Sequence, residues 1–495
     1  MNRRKFCQQT VAASVAAGLN LFAGEPAHDA KKRPNVLYVF SDEHRACSLP
    51  GEPFNGAFAP NLAQFARDNL SFTSCISNYP VCSPYRGIFL TGSWPYKTGI
   101  IDNAIQLRDD AGSIGKTFRD HGYYTGYIGK WHLSSNDRIF IPPGPGRQGF
   151  EDWHLWANTN PHFDKSFTFD PNTGQKIQPH GYNCTLMTDM ALRFLKEHKE
   201  EQGKKKEQPW LLILSWNPPH PPYDDAPPDE MKRYDPEKLA QRPNVELAPG
   251  RFRELQSEGS LRYAQQGYYA HISAVDREFS RILRALEENG QADNTIVVYT
   301  SDHGDMMGSH GYMQKRLPWE ESCRVPFFVR YPGVTPRGRE TDILFSAIDI
   351  YPSLCGLAGI PVPAHCVGRD LSAAMRGDAV SGPETSFLMH IQKLRASPAV
   401  AAATPLSRGV RTSQYTYAVA DDGRWLLYDN REDPYQQHNL IGDASRRALM
   451  NDLDGVVLEW LKRASDPFPY SQLVHRRSIN SLESLGRPLH SPRNS

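Results

Sequence analysis

A chain of 495 residues with 39% hydrophobic and 11% aromatic content carries enough apolar material for a sizeable core, which excludes a disordered polymer. The formal net charge of +1 leaves no positive excess to neutralise phosphates, so general nucleic-acid binding is excluded too. The length suits one large domain with a small one, or two to three ordinary domains, and 39 prolines with 37 glycines point to a loop-rich α/β protein.

Residues 1–30 read as a twin-arginine-type export signal. Arg3 and Arg4 are adjacent, an Ala-rich apolar run extends from Val11 to Phe22, and small residues follow at Ala23, Gly24 and Ala27. The run is too short to span a bilayer, so the expectation is export to the periplasm or beyond, without stable membrane insertion. Of eight cysteines, Cys7 lies in this segment and seven remain. An odd number in an exported chain leaves at least one thiol unpaired or otherwise used. Cys355 and Cys366 flank a short loop and are the expected disulfide, and no CxxC spacing suggests zinc.

After a polar linker at residues 27–34 comes "NVLYVFSDEH", whose continuous apolar run reads as a strand buried on both faces of a parallel sheet. The pattern recurs in "YYTGYIGKWHL", "WLLILSWNPPHPPY" and "NTIVVYTSDHGD", each a β-rich run ending in charged or imidazole residues. Amphipathic helical stretches lie between, at Asn61–Asn69, Met187–Lys199 and Ile272–Glu288. Alternation of this kind predicts an α/β fold, a large doubly wound, mostly parallel sheet flanked by helices over residues 33–380. Ligands of such sheets gather at the carboxyl ends of the strands. Around residue 380 "SGPETS" reads as a linker. "RGVRTSQYTYAV" and "RWLLYDN", with "REDPYQQHNL" between them and a helix near Ala444–Arg463, predict a small antiparallel sheet with a covering helix at 381–468. Residues 469–495 read as a polar tail.

The strand ends carry the chemistry. An Asp in such a place is most simply a turn or cap residue. Two acidic pairs together, Asp42–Glu43 and Asp302 with His303, instead point to a hard divalent cation, calcium or magnesium. Lys130, His132, His220 and Lys315 add positive and hydrogen-bonding groups. Lysines buried beside a cation need an anionic ligand, which predicts a tetrahedral oxyanion substrate, a sulfate or phosphate ester. A nucleophile is then required. Cys82, two residues before Pro84 and near the start of a short apolar helix, sits where the helix dipole favours negative charge.

With these residues assembled, the chain resembles the type I, formylglycine-dependent sulfatases of the alkaline-phosphatase-like superfamily. "CSPYRGIFLTG" (Cys82–Gly92) is similar to their C-x-P-x-R signature, and "GKWHL" (Gly129–Leu133) to their second signature. "SDHGDMMGSHG", "KRLPWEESCRVPFFVRYPG" and "LYDNREDPYQQHNL" resemble their metal loop, sulfate-binding segment and C-terminal hairpin. The resemblance spans about residues 33–465. It implies that a formylglycine-generating enzyme, reading Pro84 and Arg86, oxidises Cys82 to Cα-formylglycine. The hydrated aldehyde, a gem-diol, would attack sulfur to give a sulfo-enzyme, and its second hydroxyl would expel sulfate. By the same resemblance Asp42, Glu43, Asp302 and His303 hold Ca2+ with the formylglycine oxygen, and Arg86 orients the gem-diol. His132 is the base for elimination, His220 the proton donor or a sulfate ligand, and Lys130 and Lys315 bind sulfate oxygens. Many relatives carry Asp where Glu43 stands and Asn where His303 stands.

The resemblance thus implies a sulfuric ester hydrolase, and export with loop aromatics (Trp94, Tyr96, Trp153, Trp156, Tyr223) favours a sulfated carbohydrate over a sulfated small molecule. The alternatives are a phosphonate or phosphate ester hydrolase of the same superfamily, an aryl or choline sulfatase, and a non-catalytic calcium-binding protein with Cys82 unmodified. Loops at about 134–182 and 221–262 are expected to shape the substrate preference.

Overall fold

The computed structural model describes residues 33–49, 51, 56–136, 138–202, 208–393 and 404–470. The export signal read at 1–30 and the tail beyond residue 470 lie outside them. Strand Asn35–Asp42 is buried along its whole length. Its side chains alternate between two cores: Val36, Tyr38 and Phe40 join one, Leu37 and Val39 the other. This is why the run is continuously apolar, since both faces of the sheet are covered.

Strands Trp210–Pro219 and Thr295–Ser301 flank it, both parallel to it. Tyr124–Lys130 runs parallel to Trp210–Pro219, and Asp152–Trp156 parallel to Tyr124–Lys130. Phe327–Arg330 closes the other side antiparallel to Thr295–Ser301, and short edge strands complete a ten-stranded, mostly parallel sheet. Helices Pro60–Asp68, Asn183–Gln202 and Glu258–Glu288 cover one face. Cys82–Thr91, Ile114–Asp120 and Ala347–Ala358 cover the other. The long helix starts where Ser257 accepts a hydrogen bond from Ser260 N, and Ala347–Ala358 starts with a Ser346–Asp349 capping box.

Towards the C-terminus, strands Thr385–His390, Ser407–Thr412, Tyr415–Ala420 and Gly423–Asp429 form an antiparallel meander, followed by helix Arg447–Arg463. Two details differ from the sequence expectation. Thr385–His390 is a strand, hidden from the reading by the Gly-Pro just before it. The expected Cys355–Cys366 disulfide is absent, and both are free thiols. Cys355 is buried within its helix, and the Cys366 sulfur packs against Gly92, the residue that ends the Cys82 helix. Among the described residues no helix is long and apolar enough to cross a membrane.

Gly129 shows how the fold positions the site. It lies in strand Tyr124–Lys130 at φ 112°, and a Cβ there would stand 2.0 Å from the Ser215 carbonyl oxygen. Gly129→Ala therefore has to push apart the two strands that aim Lys130 and His220. It should lower unfolding free energy by about 1–3 kcal/mol or more, measured by urea denaturation. An unchanged midpoint would mean that the strands are not tightly apposed there.

Candidate active site

Because the strands run parallel, their carboxyl ends share one edge of the sheet. Asp42 and Lys130 are the last residues of their strands, His220 follows Pro219, and Asp302 and His303 follow Ser301. Cys82 is the first residue of its helix, at the N-terminal end. Glu43 and His132 hold left-handed φ values of 78° and 56°, an uncommon conformation for side-chain-bearing residues and typical of site turns.

At the centre stands a buried charge cluster. Arg86 Nη2 lies 3.1 Å from both Asp42 Oδ2 and Asp302 Oδ2. Its Nη1 donates to the Lys130 carbonyl and to Ser215 Oγ, each at 2.6 Å. Lys130 Nζ meets Asp42 Oδ2 at 2.6 Å, and Lys315 Nζ meets Glu43 Oε2 at 2.6 Å. The three carboxylates are fully buried, so each needs a partner. Burial opposes ionisation of Asp42, but Lys130, His220 and Arg86 outweigh it and hold that carboxyl well below its usual range. Burial also pushes the Cys82 thiol up, and Asp42 adds to the effect.

Asp42, Cys82, Asp302 and His303 bring one ligand atom each within 4.8 Å of one another. His303 Nδ1–H donates to the Gly304 carbonyl (3.0 Å), which leaves Nε2 with its lone pair facing Cys82 Sγ at 3.3 Å. Glu43 belongs to a second group, with Asp42 and His220, whose ligand atoms also lie within 4.8 Å of one another: its Oε2 faces Lys315 and His220 Nε2 (3.6 Å), and its buried Oε1 has no hydrogen-bond partner. An orphaned carboxylate oxygen beside an oxygen-rich cluster fits a hard divalent cation, with the Cys82 sulfur standing in for an oxygen ligand.

His132 and His220 both line the cavity above Cys82. Asn158 Nδ2 lies 2.9 Å from His132 Nε2, and Ser83 Oγ donates to the His132 carbonyl. His220 Nδ1–H donates to the Pro221 carbonyl at 2.7 Å. Two further buried histidines brace that loop. His162 Nε2–H donates to the His220 carbonyl (2.7 Å) and His271 Nε2–H to the Pro222 carbonyl (3.2 Å), while Tyr182 OH donates to His271 Nδ1 (2.7 Å). Burial holds His132, His220, His162 and His271 all below the ordinary histidine pKa.

Known proteins match this arrangement. A family model described as Sulfatase matches residues 34–360, and one described as N-sulphoglucosamine sulphohydrolase, C-terminal, matches 308–463. An ulvan-active sulfatase of Formosa agariphila is 33% identical over 472 residues, 93% of this chain and 87% of that one. The chain belongs to the sulfatase family. An endo-4-O-sulfatase of Bacteroides thetaiotaomicron is 30% identical over 527 residues, covering 93% and 99% of the two chains. A solved structure described under the metabolism of multiple glycosaminoglycans by Bacteroides thetaiotaomicron superposes with TM-score 0.78 at 29% identity, over 90% of this chain and 99% of that one. This sulfatase is thus a sulfuric ester hydrolase.

All ten residues singled out in the sequence meet at the sulfatase cleft. The aromatic side chains do not: Trp94, Trp153, Trp156 and Tyr223 are core residues, and Tyr96 packs beside Arg408. Polar side chains that the sequence reading passed over line the cavity in their place. Asn158 and Asn160 follow strand Asp152–Trp156, a strand end like the other four but with too short an apolar run to notice. Asn103, Gln314 and Arg316 come from turns without a periodic signal. Ser215 did carry one, as the polar residue that follows the apolar run Trp210–Leu214 and accepts from Arg86.

Arg86→Met would leave Asp42 and Asp302 without their shared partner. In metal-free protein it should cost roughly 3–5 kcal/mol of stability by urea denaturation, with part of the loss restored by added calcium. A stability equal to wild type would show that the carboxylates do not depend on Arg86.

Proposed function

We propose that this sulfatase removes sulfate from a sulfated carbohydrate outside the cytoplasm, with Cys82 converted to formylglycine by a formylglycine-generating enzyme. The observation that carries the reading is the position of Cys82. It opens a helix N-terminus, stands 3.3 Å from His303 Nε2 and 3.7 Å from Asp42 Oδ1, and faces a cavity also lined by Lys130, Lys315, His132 and His220. The family matches and the glycan-named relatives support it, as does the twin-arginine-type segment for export.

When present, the hydrated formylglycine supplies the attacking hydroxyl. Asp42, Asp302, His303 and position 82, with Glu43 as the outlying candidate, would hold a divalent cation, calcium by donor set, which supplies charge compensation to the sulfuryl oxygens. Lys130 and Lys315 reach the non-bridging oxygens from two sides of the cavity, and their own carboxylate partners fix their direction. Arg86 holds Asp42 and Asp302 in place. His220 has Nδ1–H tied to a carbonyl and Nε2 facing the cavity; burial and Lys315 keep it neutral in the empty site, so it gives a proton to the departing alcohol only once Nε2 is protonated, which a bound anionic ester beside it favours. His132, neutral at physiological pH and fixed by Asn158, accepts the proton released in regenerating the resting site. Water enters and alcohol plus sulfate leave in net balance.

Two measurements test this. In protein matured with the formylglycine-generating enzyme, the peptide carrying Cys82 should have the mass of the aldehyde, and Cys82→Ala should abolish sulfate release while leaving the fold intact. An unmodified thiol in fully active protein would overturn the assignment. Burial and Lys130 hold His132 below its ordinary pKa, so the neutral base persists as pH falls past about 6.5. With 4-nitrophenyl sulfate, whose leaving group needs no proton, the acid limb of kcat should therefore lie below that value. An acid limb centred above pH 7 would contradict the role of His132.

A further inference from the structure

The cavity holds more donors than one sulfate group requires. It encloses about 550 Å³, within the ~300–1,000 Å³ range of small-molecule sites. Lys130 and Lys315 serve the sulfate. Beyond those lysines and His132 and His220, the polar wall is Asn103, Asn158, Asn160, Arg253, Gln314 and Arg316, and among the described residues no aspartate or glutamate lines the cavity.

Arg316 is the informative residue. It is only 6% exposed, its Nη2 lies 2.7 Å from Asp102 Oδ1, and its Nη1 has no hydrogen-bond partner. Asp102 precedes Asn103, whose Oδ1 accepts from Ser83 N at 3.0 Å, so Arg316 belongs to the wall beside Cys82. Asn103 keeps its amide donor for the cavity. Gln314 and Arg316 both hold left-handed φ values, 64° and 85°, on either side of Lys315. Backbone in that conformation persists where something else requires it, and here it presents three successive side chains to one cavity. Arg316 shares its charge with Asp102, and the buried donor that it leaves unmatched finds its strongest acceptor in an anion.

We propose that this wall is a subsite for a second anionic group on the substrate, a carboxylate or a further sulfate, held by Arg316 with Asn103 and with Arg253 at the exposed mouth. The inference rests on the sulfated-carbohydrate reading. The test compares kcat/KM of mature wild type, Arg316→Gln and Arg253→Gln on three sulfated sugars. They differ only in one substituent: a hydroxymethyl group, a carboxylate or a second sulfate. Wild type should favour one anionic sugar over the neutral one by at least about tenfold, the scale of one charge-assisted hydrogen bond, and the favoured arm identifies the anion. In Arg316→Gln that ratio should fall towards one, whatever loss all three substrates share. Arg253→Gln, altered at an exposed side chain, should lower the ratio partway even if the Arg316 variant fails to fold. A wild-type ratio near one, or a ratio retained in the folded variants, overturns the subsite and leaves the sulfatase reading intact. Turnover of 4-nitrophenyl sulfate but of none of the sugars overturns the carbohydrate reading and the subsite with it.

Discussion

The site depends on a single guanidinium. Arg86 bridges Asp42 and Asp302 from the ends of two neighbouring strands, with its planar face 4.8 Å from the Phe40 ring and its other arm on Ser215 and the Lys130 carbonyl. Removing two carboxylates and a cation from water is costly, and only near-complete hydrogen bonding offsets that cost. The arrangement therefore adds little to stability for its own sake. What it provides is geometry: four strands and one helix are pinned together where the charges must meet.

The charge count gives the cluster its meaning. Asp42, Glu43 and Asp302 are matched by Arg86, Lys130 and Lys315, all of them buried. A divalent cation added to a balanced set creates a positive excess, and in a water-poor site that excess is relieved by an anion. A sulfate ester supplies one. Cation and anion are thus thermodynamic partners, each preparing the site for the other.

How much of this was legible in the sequence depended on the type of signal. Long apolar runs ending in charge, such as Val36–Phe40 before Asp42, marked the parallel strands because both sheet faces are covered. The register of those runs carried the candidate site residues to one edge without any knowledge of the loops. Cys82, Pro84 and Arg86 could be read because one helical turn fixes their spacing. Short or edge elements were not legible: Thr385–His390 was masked by its Gly-Pro, and Asp152–Trp156 by its brevity. The aromatic side chains could be read as core or as sugar-facing, because a ring's fate depends on which face of the strand it occupies; Trp153 and Trp156 pack inside. The polar wall of the cavity was invisible because Asn103, Asn158 and Arg316 come together only through turns. The braces under His220 were invisible for the same reason, since His162 and His271 act through carbonyls that no sequence motif records.

If the buried charges form one device for a divalent cation and a sulfate group, the binding of the two must be coupled. Calorimetric titration of inorganic sulfate into the mature protein, once metal-free and once saturated with calcium, tests it most directly. Sulfate should bind at least about tenfold more tightly with the cation present, and sulfate should tighten calcium binding by the same factor. Equal sulfate affinity in the two states would contradict it.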